Sequence, residues 1–158
     1  MAELGTEIAR DYEGREPVLV ASLKTSVFFL ADLSRAIPIP HAIDFIALAG
    51  YAGKTPRSGV RLLKDLDCDI GGIDVILVED VVDTGLTLNY LARALKLRAP
   101  RSLAAVSLLD RPYRRLVDDL PLRYVGFTVP DEFFVGYGFD LDERYRHLPD
   151  LHLAEGAG

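Results

Sequence analysis

Three acids and two threonines fall within residues 79–87, and they set the chemistry open to this chain. Glu79 and Asp80 stand side by side, Asp83 follows, and Thr84, Gly85, Leu86 and Thr87 come directly after. Adjacent carboxylates repel one another unless something cationic or hydroxyl-rich lies between them, which suits a sugar with vicinal hydroxyls carrying Mg2+. Gly85 lets the backbone approach a phosphate closely or take a positive φ, and Thr84 and Thr87 add hydroxyl donors beside it. No lysine is present in this loop, so it is not the G-x-x-x-x-G-K-[ST] phosphate loop. A plainer reading makes Asp83 or Thr84 a helix cap and leaves Glu79 and Asp80 in a solvated loop. The apolar run before the acids and their place at a junction weigh against it.

The flanking elements explain how such residues would be held. Residues 75–78 are an unbroken run of β-branched and leucine side chains, which predicts a short strand buried on both faces that ends where the charge begins. From residue 84 onward Leu88, Leu91, Ala92 and Leu95 fall on one helical face, and Ala99 and Pro100 close the helix after residue 98. Ligands of an open parallel sheet bind at the carboxyl ends of its strands, and a helix amino terminus offers unpaired N–H groups to an anion. A phosphate is therefore expected on the turn at residues 84–87.

The rest of the chain repeats the pattern. Leu4, Ile8 and Tyr12 share a face of a predicted helix at 2–12, with Gly14 as its stop. A strand at 18–21 runs into Ser22, Leu23, Lys24, Thr25 and Ser26, and Ser26 is placed to cap a helix at 27–37. Pro38 and Pro40 lead into a strand at 42–48. Residues 49–59 are rich in Gly, Pro and small side chains, a loop long enough to serve as a lid, although a solvated hairpin tip is the plainer alternative. A strand at 60–64 precedes Asp65, Asp67 and Asp69, read as a solvated acidic turn because the later ligands of a calcium loop are missing. Strands are predicted at 102–109, ending in Asp110, Arg111 and Pro112, and at 123–129. Arg114 and Arg115 are expected to be solvated. In residues 131–140 two glycines interrupt a run of aromatics, which makes a poor strand but a ledge of flat rings; core packing is the plainer reading. Strands alternating with helices give an α/β fold with a mostly parallel sheet.

Composition narrows the class. The 158 residues predict a single domain spanning 1–158, with 49% hydrophobic and 27% charged residues. A net charge of −6 argues against nucleic acid as the main partner. The lone Cys68 excludes an intramolecular disulfide and points to a reducing cytoplasm. No apolar run approaches the ~20 residues a membrane span requires. His41, His147 and His152 are scattered, so no zinc site is expected.

The segment V-I-L-V-E-D-V-V-D-T-G-L-T-L at residues 75–88 resembles the phosphoribosyl-pyrophosphate-binding motif of the type I phosphoribosyltransferases, in the form used by the hypoxanthine-guanine enzymes. The resemblance extends over residues 3–149. It implies a mostly parallel sheet flanked by helices with a small hood, and it implies roles. Glu79 and Asp80 would hold the ribose hydroxyls, Asp83 would lie near the purine N7 as the catalytic group, and Thr84, Gly85, Leu86 and Thr87 would wrap the 5′-phosphate. L-K-T-S at residues 23–26 is similar to the L-K-G-S loop that lines the pyrophosphate site, with Lys24 kept and Thr25 in place of glycine. A β-branched residue cannot adopt glycine-only dihedrals without strain, so this loop is expected to differ. Tyr51 matches the lid tyrosine and Gly50 replaces its serine. Arg111 stands where the family has a lysine bonded to the purine 6-oxo group. The segment P-D-E-F-F-V-G-Y-G-F-D resembles P-D-x-F-V-V-G-Y-G-L-D: Phe133 would stack on the purine, the Phe134 backbone would read its edge, and Asp140 would border the pocket and bind Mg2+. Arg146 matches an arginine that contacts pyrophosphate. The family also carries a further stretch before the first helix, which predicts either a later start here or a smaller hood.

The implied reaction moves the 5-phosphoribosyl group from phosphoribosyl pyrophosphate to a 6-oxopurine, hypoxanthine or guanine, giving IMP or GMP and pyrophosphate. It would use Mg2+ held by Glu79, Asp80 and Asp140, in a cytoplasmic homodimer or homotetramer. The alternatives are a xanthine-preferring transferase and a non-catalytic regulator of the same fold that binds a nucleotide or RNA. The charge of −6 and the intact acids oppose the regulator.

Overall fold

The computed structural model describes residues 1–49 and 61–154. In chain order these form α1 (Ala2–Asp11), β1 (Val18–Ser22), α2 (Ser26–Ala36), β2 (Ala42–Ala49), β3 (Arg61–Lys64), β4 (Asp74–Val82), α3 (Leu86–Lys96), β5 (Ser102–Asp110), a 3-10 turn (Pro112–Arg114), β6 (Leu122–Thr128), β7 (Phe134–Val135) and β8 (His152–Leu153). One sheet has the order β3-β2-β1-β4-β5-β6. Its pairs are parallel except for β3, which runs antiparallel along β2 at one edge. The proposed lid residues Gly50 and Tyr51 lie outside the described residues.

The apolar run predicted as a two-sided buried strand is one, and the alternation of a strand decides where each side chain goes. Ile76 and Val78 join Ile8, Tyr12, Phe29, Leu33 and Tyr124 in the core beneath α1 and α2. Val75 and Leu77 face the other way and join Leu88, Leu91 and Leu95 of α3. Each fully buried leucine or isoleucine contributes roughly 1.5–3 kcal/mol, so both layers are needed to hold the strand on which the acids sit. Gly5 explains how α1 and α2 come together: a Cβ there would lie 2.1 Å from the Ala36 carbonyl oxygen.

Two of the boundaries that move bear on the site. β4 does not stop at residue 78 but carries Glu79, Asp80, Val81 and Val82 as well, because its parallel pairing with β5 continues from Glu79 opposite Ser107 to Val82 opposite Asp110. Backbone groups pair irrespective of side-chain polarity, so charge alone does not end a strand. Thr25 rather than Ser26 precedes the first residue of α2, with no side-chain cap. Ser26 is instead buried in the first turn, its hydroxyl committed elsewhere. The acidic turn after β3 is met by cations: Lys64 pairs with Asp67 and Arg98 with Asp65. Among the described residues, no helix is long and apolar enough to cross a membrane.

Candidate active site

β4 delivers its acids to the carboxyl end of the sheet, in two different environments. Glu79 is buried, and its Oε1 has no hydrogen-bond partner. Burial, with the Asp80 charge adding to it, pushes the Glu79 carboxyl well above its ordinary range. Asp80 is also pushed up by burial, against the pull of main-chain N–H groups and of Ser26, whose Oγ donates to Asp80 Oδ1 at 3.3 Å. Two carboxylates are thus desolvated beside one another with one oxygen unsatisfied, an arrangement that can accept a cation or hydroxyl donors.

The turn that follows is shaped by glycine. Gly85 sits at φ 82°, in the left-handed region, immediately before α3. A Cβ there would stand 2.8 Å from Leu120 Cδ1 and 3.2 Å from Arg115 Cδ. No side chain caps α3, and Leu86 N–H reaches only the Thr84 hydroxyl, at 3.4 Å. The amino terminus of an 11-residue helix therefore opens on the turn with its first N–H groups not capped by a side chain.

Arg115, expected to be solvated, is not, and Arg114 is exposed as expected but ion-paired. Arg115 is largely buried and pairs with Asp110 while packing under Gly85. Arg114 bridges Asp83, at 3.3 Å from Nε to Oδ1, and Asp131, at 3.0 Å. The 3-10 turn at Pro112–Arg114 folds both arginines back toward the carboxyl end of the sheet, a reversal that sequence periodicity does not encode because it is one turn long. Arg111 is buried, donates to the Glu132 carbonyl, lies over the Phe134 ring at 5.7 Å, and holds Nη1 at 4.0 Å from Asp83 Oδ2. Its Nε is left without a partner.

The aromatic segment divides. Phe139 is core, Phe134 is half-buried beneath Arg111, and Phe133 is 42% exposed, available as a flat surface. The bend that spreads them comes from Gly136 at φ 90° and Gly138 at φ 93°, with Tyr137 at φ 49° between them. The segment is fastened by the end of the chain: β7 pairs antiparallel with β8, Tyr137 N–H bonds to Leu148 O, and Gly138 N–H bonds to Arg146 O. A Cβ on Gly136 would meet the Asp150 carbonyl at 2.1 Å.

The third group gathers around Arg146. Its guanidinium donates to Thr25 Oγ1 at 2.9 Å and to Gly138 O at 2.7 Å, and pairs with Asp140 at 2.8 Å. Thr25 has φ −59° and ψ −42°, ordinary right-handed geometry, so the expected strain is absent, and its hydroxyl supplies an acceptor that glycine lacks. Lys24, joined to Leu23 by a cis peptide, pairs with Glu143 at 3.2 Å. Asp140 is thus committed to an arginine. Among the described residues, no three His, Cys, Asp or Glu side chains come together as a metal cage, so Glu79, Asp80 and Asp140 are not a preformed trio.

Sequence reasoning missed Ser26, Arg114, Arg115 and Glu143 as parts of this constellation. Only the arginines carried a signal, two adjacent cations one residue beyond a strand-ending Asp110-Arg111-Pro112.

Comparison with known proteins places the chain in one family. The model of the phosphoribosyl transferase domain matches residues 1–143. A hypoxanthine phosphoribosyltransferase of Salmonella typhimurium is 50% identical over 152 residues, covering 94% of this chain and 85% of that protein. A hypoxanthine-guanine phosphoribosyltransferase of Mycobacterium bovis is 49% identical over 155 residues, covering 94% of this chain and 76% of that protein. The crystal structure of a hypoxanthine-guanine phosphoribosyltransferase from Bacillus anthracis superposes with a TM-score of 0.88 at 47% identity, over 95% of this chain and 86% of that one.

Proposed function

This chain belongs to the phosphoribosyltransferase family and is an enzyme of it, and we propose that it transfers the 5-phosphoribosyl group from phosphoribosyl pyrophosphate to N9 of hypoxanthine or guanine, releasing pyrophosphate. The observation that carries the assignment of roles is the β4–α3 turn: two desolvated carboxylates, then Asp83 between arginines, then a left-handed glycine opening an uncapped helix. Each part meets one part of the substrate. The N–H groups of α3 with Thr84 and Thr87 take the 5′-phosphate, and Glu79 and Asp80 take the ribose hydroxyls. Lys24 and Arg146 receive the pyrophosphate, with Thr25 steadying the arginine. Phe133 and the backbone at Phe134 carry the purine, and Arg111 faces its 6-oxo group.

Mg2+ fits this donor set. The unpartnered Glu79 oxygen and the neighbouring Asp80 are hard oxygen donors, and this ion is ordinarily held by one or two carboxylates together with substrate oxygens, whereas Asp140 would first have to leave Arg146. Bound there it supplies positive charge to the pyrophosphate leaving group. The residues do the rest. As the bond to C1′ lengthens, positive charge grows on the ribose, and the carboxyl oxygens of Glu79 and Asp80 meet it from fixed positions. The helix terminus, the aromatic ledge and Arg111 fix sugar and base in line. Asp83 manages the N7 proton of the incoming purine, and Arg114 holds its carboxylate in place.

Release of pyrophosphate measured in turn with hypoxanthine, guanine, xanthine and adenine tests this reading. Turnover with hypoxanthine and guanine is expected, with adenine negligible. Equal use of adenine would overturn the assignment of the base pocket.

A further inference from the structure

The cations assigned to pyrophosphate already hold an anion of the protein's own. Glu143 places one carboxylate oxygen on each of them, Oε2 at 3.2 Å from Lys24 Nζ and Oε1 at 3.4 Å from Arg146 Nη2. Lys24 comes from the loop after β1 and Arg146 from the segment after the aromatic ledge, so a single side chain joins two loops that are far apart in sequence. A tight turn holds Glu143 there. Its φ is +63°, that of Asp142 is +52°, its N–H donates to Asp140 Oδ2 at 2.9 Å, and Leu141 and Arg144 exchange main-chain hydrogen bonds around it.

We propose that the Glu143 carboxylate is a built-in occupant of the pyrophosphate subsite, displaced when substrate binds and returning as the leaving group departs. The proposal rests on the roles given above to Lys24 and Arg146. Charge accounting supports it: Lys24 and Arg146 against Asp140 and Glu143 sum to zero, whereas a pyrophosphate needs a net cationic seat. Withdrawing Glu143 to solvent leaves a surplus positive charge on the three remaining groups. The withdrawal is easy, because Glu143 is 64% exposed and Lys24 70% exposed, and exposed pairs of this kind are weak. Arg146, by contrast, stays anchored by Thr25, Gly138 and Asp140. The Lys24 hydrogen bond and the Arg146 charge hold the Glu143 carboxyl below its ordinary range, so the occupant is charged at neutral pH. Its exchange with pyrophosphate lets the subsite bind and release a highly charged group without remaining empty.

Titration calorimetry of inorganic pyrophosphate in the presence of Mg2+ tests this on the unmodified chain, Glu143→Gln and Glu143→Asn. Asparagine is included because it accepts the left-handed φ readily. Both variants are expected to bind pyrophosphate about 3–10-fold more tightly, with the difference shrinking at ~1 M salt. IMP serves as the control, since its phosphate belongs to the α3 turn, and its affinity should stay within ~2-fold. Pyrophosphate binding that is unchanged or weaker in both variants overturns the occupant role. Failure of the unmodified chain to bind pyrophosphate while it still binds IMP overturns the assignment of Lys24 and Arg146 themselves, and the occupant role with it.

Discussion

Residue by residue, the acids were legible and their partners were not. Glu79, Asp80 and Asp83 declare themselves by adjacency in the sequence, whereas Ser26, Arg114 and Glu143 reach their sites through contacts from distant segments that no local pattern encodes. Asp83→Asn should keep phosphoribosyl-pyrophosphate affinity but lower turnover by ~10²–10⁴-fold, since the amide retains size and loses basicity; single-turnover kinetics would check this. Arg111 tests the preference for a 6-oxo group. A buried donor facing the amino group of adenine costs on the order of 1–3 kcal/mol, about 10–100-fold in selectivity. Arg111→Met should therefore lose hypoxanthine turnover and Arg111→Lys should keep most of it. Lysine leaves the planar contact over Phe134 unfilled, so a raised KM for hypoxanthine is the expected remainder. Thr25→Gly removes the acceptor for Arg146 and should raise the KM for phosphoribosyl pyrophosphate by roughly 2–10-fold, as for one hydrogen bond, without touching the KM for the purine.

At the level of elements, two-sided burial made the central strands readable, while their ends followed the ladder of the neighbouring strand. β8 was invisible because two residues, His152 and Leu153, carry no period. The α3 amino terminus depends on Gly85 in a way that can be measured. Gly85→Ala forces a Cβ into the left-handed region against Leu120 and should cost about 1–3 kcal/mol in urea unfolding, with loss of phosphate affinity beyond it. Asp44 on β2 ties down the segment after β3 through the N–H groups of Asp67 and Cys68. Burial pushes its carboxyl up, but hydrogen bonds from Cys68, Phe45 and Asp67 outweigh this and leave it below the ordinary value. The folded state thus binds that proton more weakly than the unfolded one. The stability Asp44 contributes is present above ~pH 4 and lost as pH falls further, and Asp44→Asn should flatten the acid limb of a pH–stability profile.

Across the whole molecule, carboxylates with opposite tendencies sit in different surroundings. Asp11 and Asp44, away from the turn, are held below their ordinary range, while Glu79 and Asp80 at the carboxyl end are pushed above it. An acid raised in the folded state favours folding at low pH, and that contribution drains away as pH rises through its unfolded value of ~4.3 toward the folded one. Glu79→Gln should therefore raise the melting temperature of the ligand-free protein at neutral pH, by ~2–4 °C for each ~1 kcal/mol relieved, while weakening phosphoribosyl-pyrophosphate binding. No change in melting, or a fall, would show the site to be relaxed rather than tuned for a ligand. The topology was readable at this scale because the alternation of strand and helix leaves few ways to wind a parallel sheet. The fastening of the aromatic ledge was not, and it bears on synthesis. The sheet strands are complete once residue 128 has been made, but the ledge at 133–139 takes its hydrogen bonds from residues 146–154. During synthesis the sheet can thus be specified before the base has a seat, so a released chain truncated after residue 145 should bind a ribose phosphate and ignore purines.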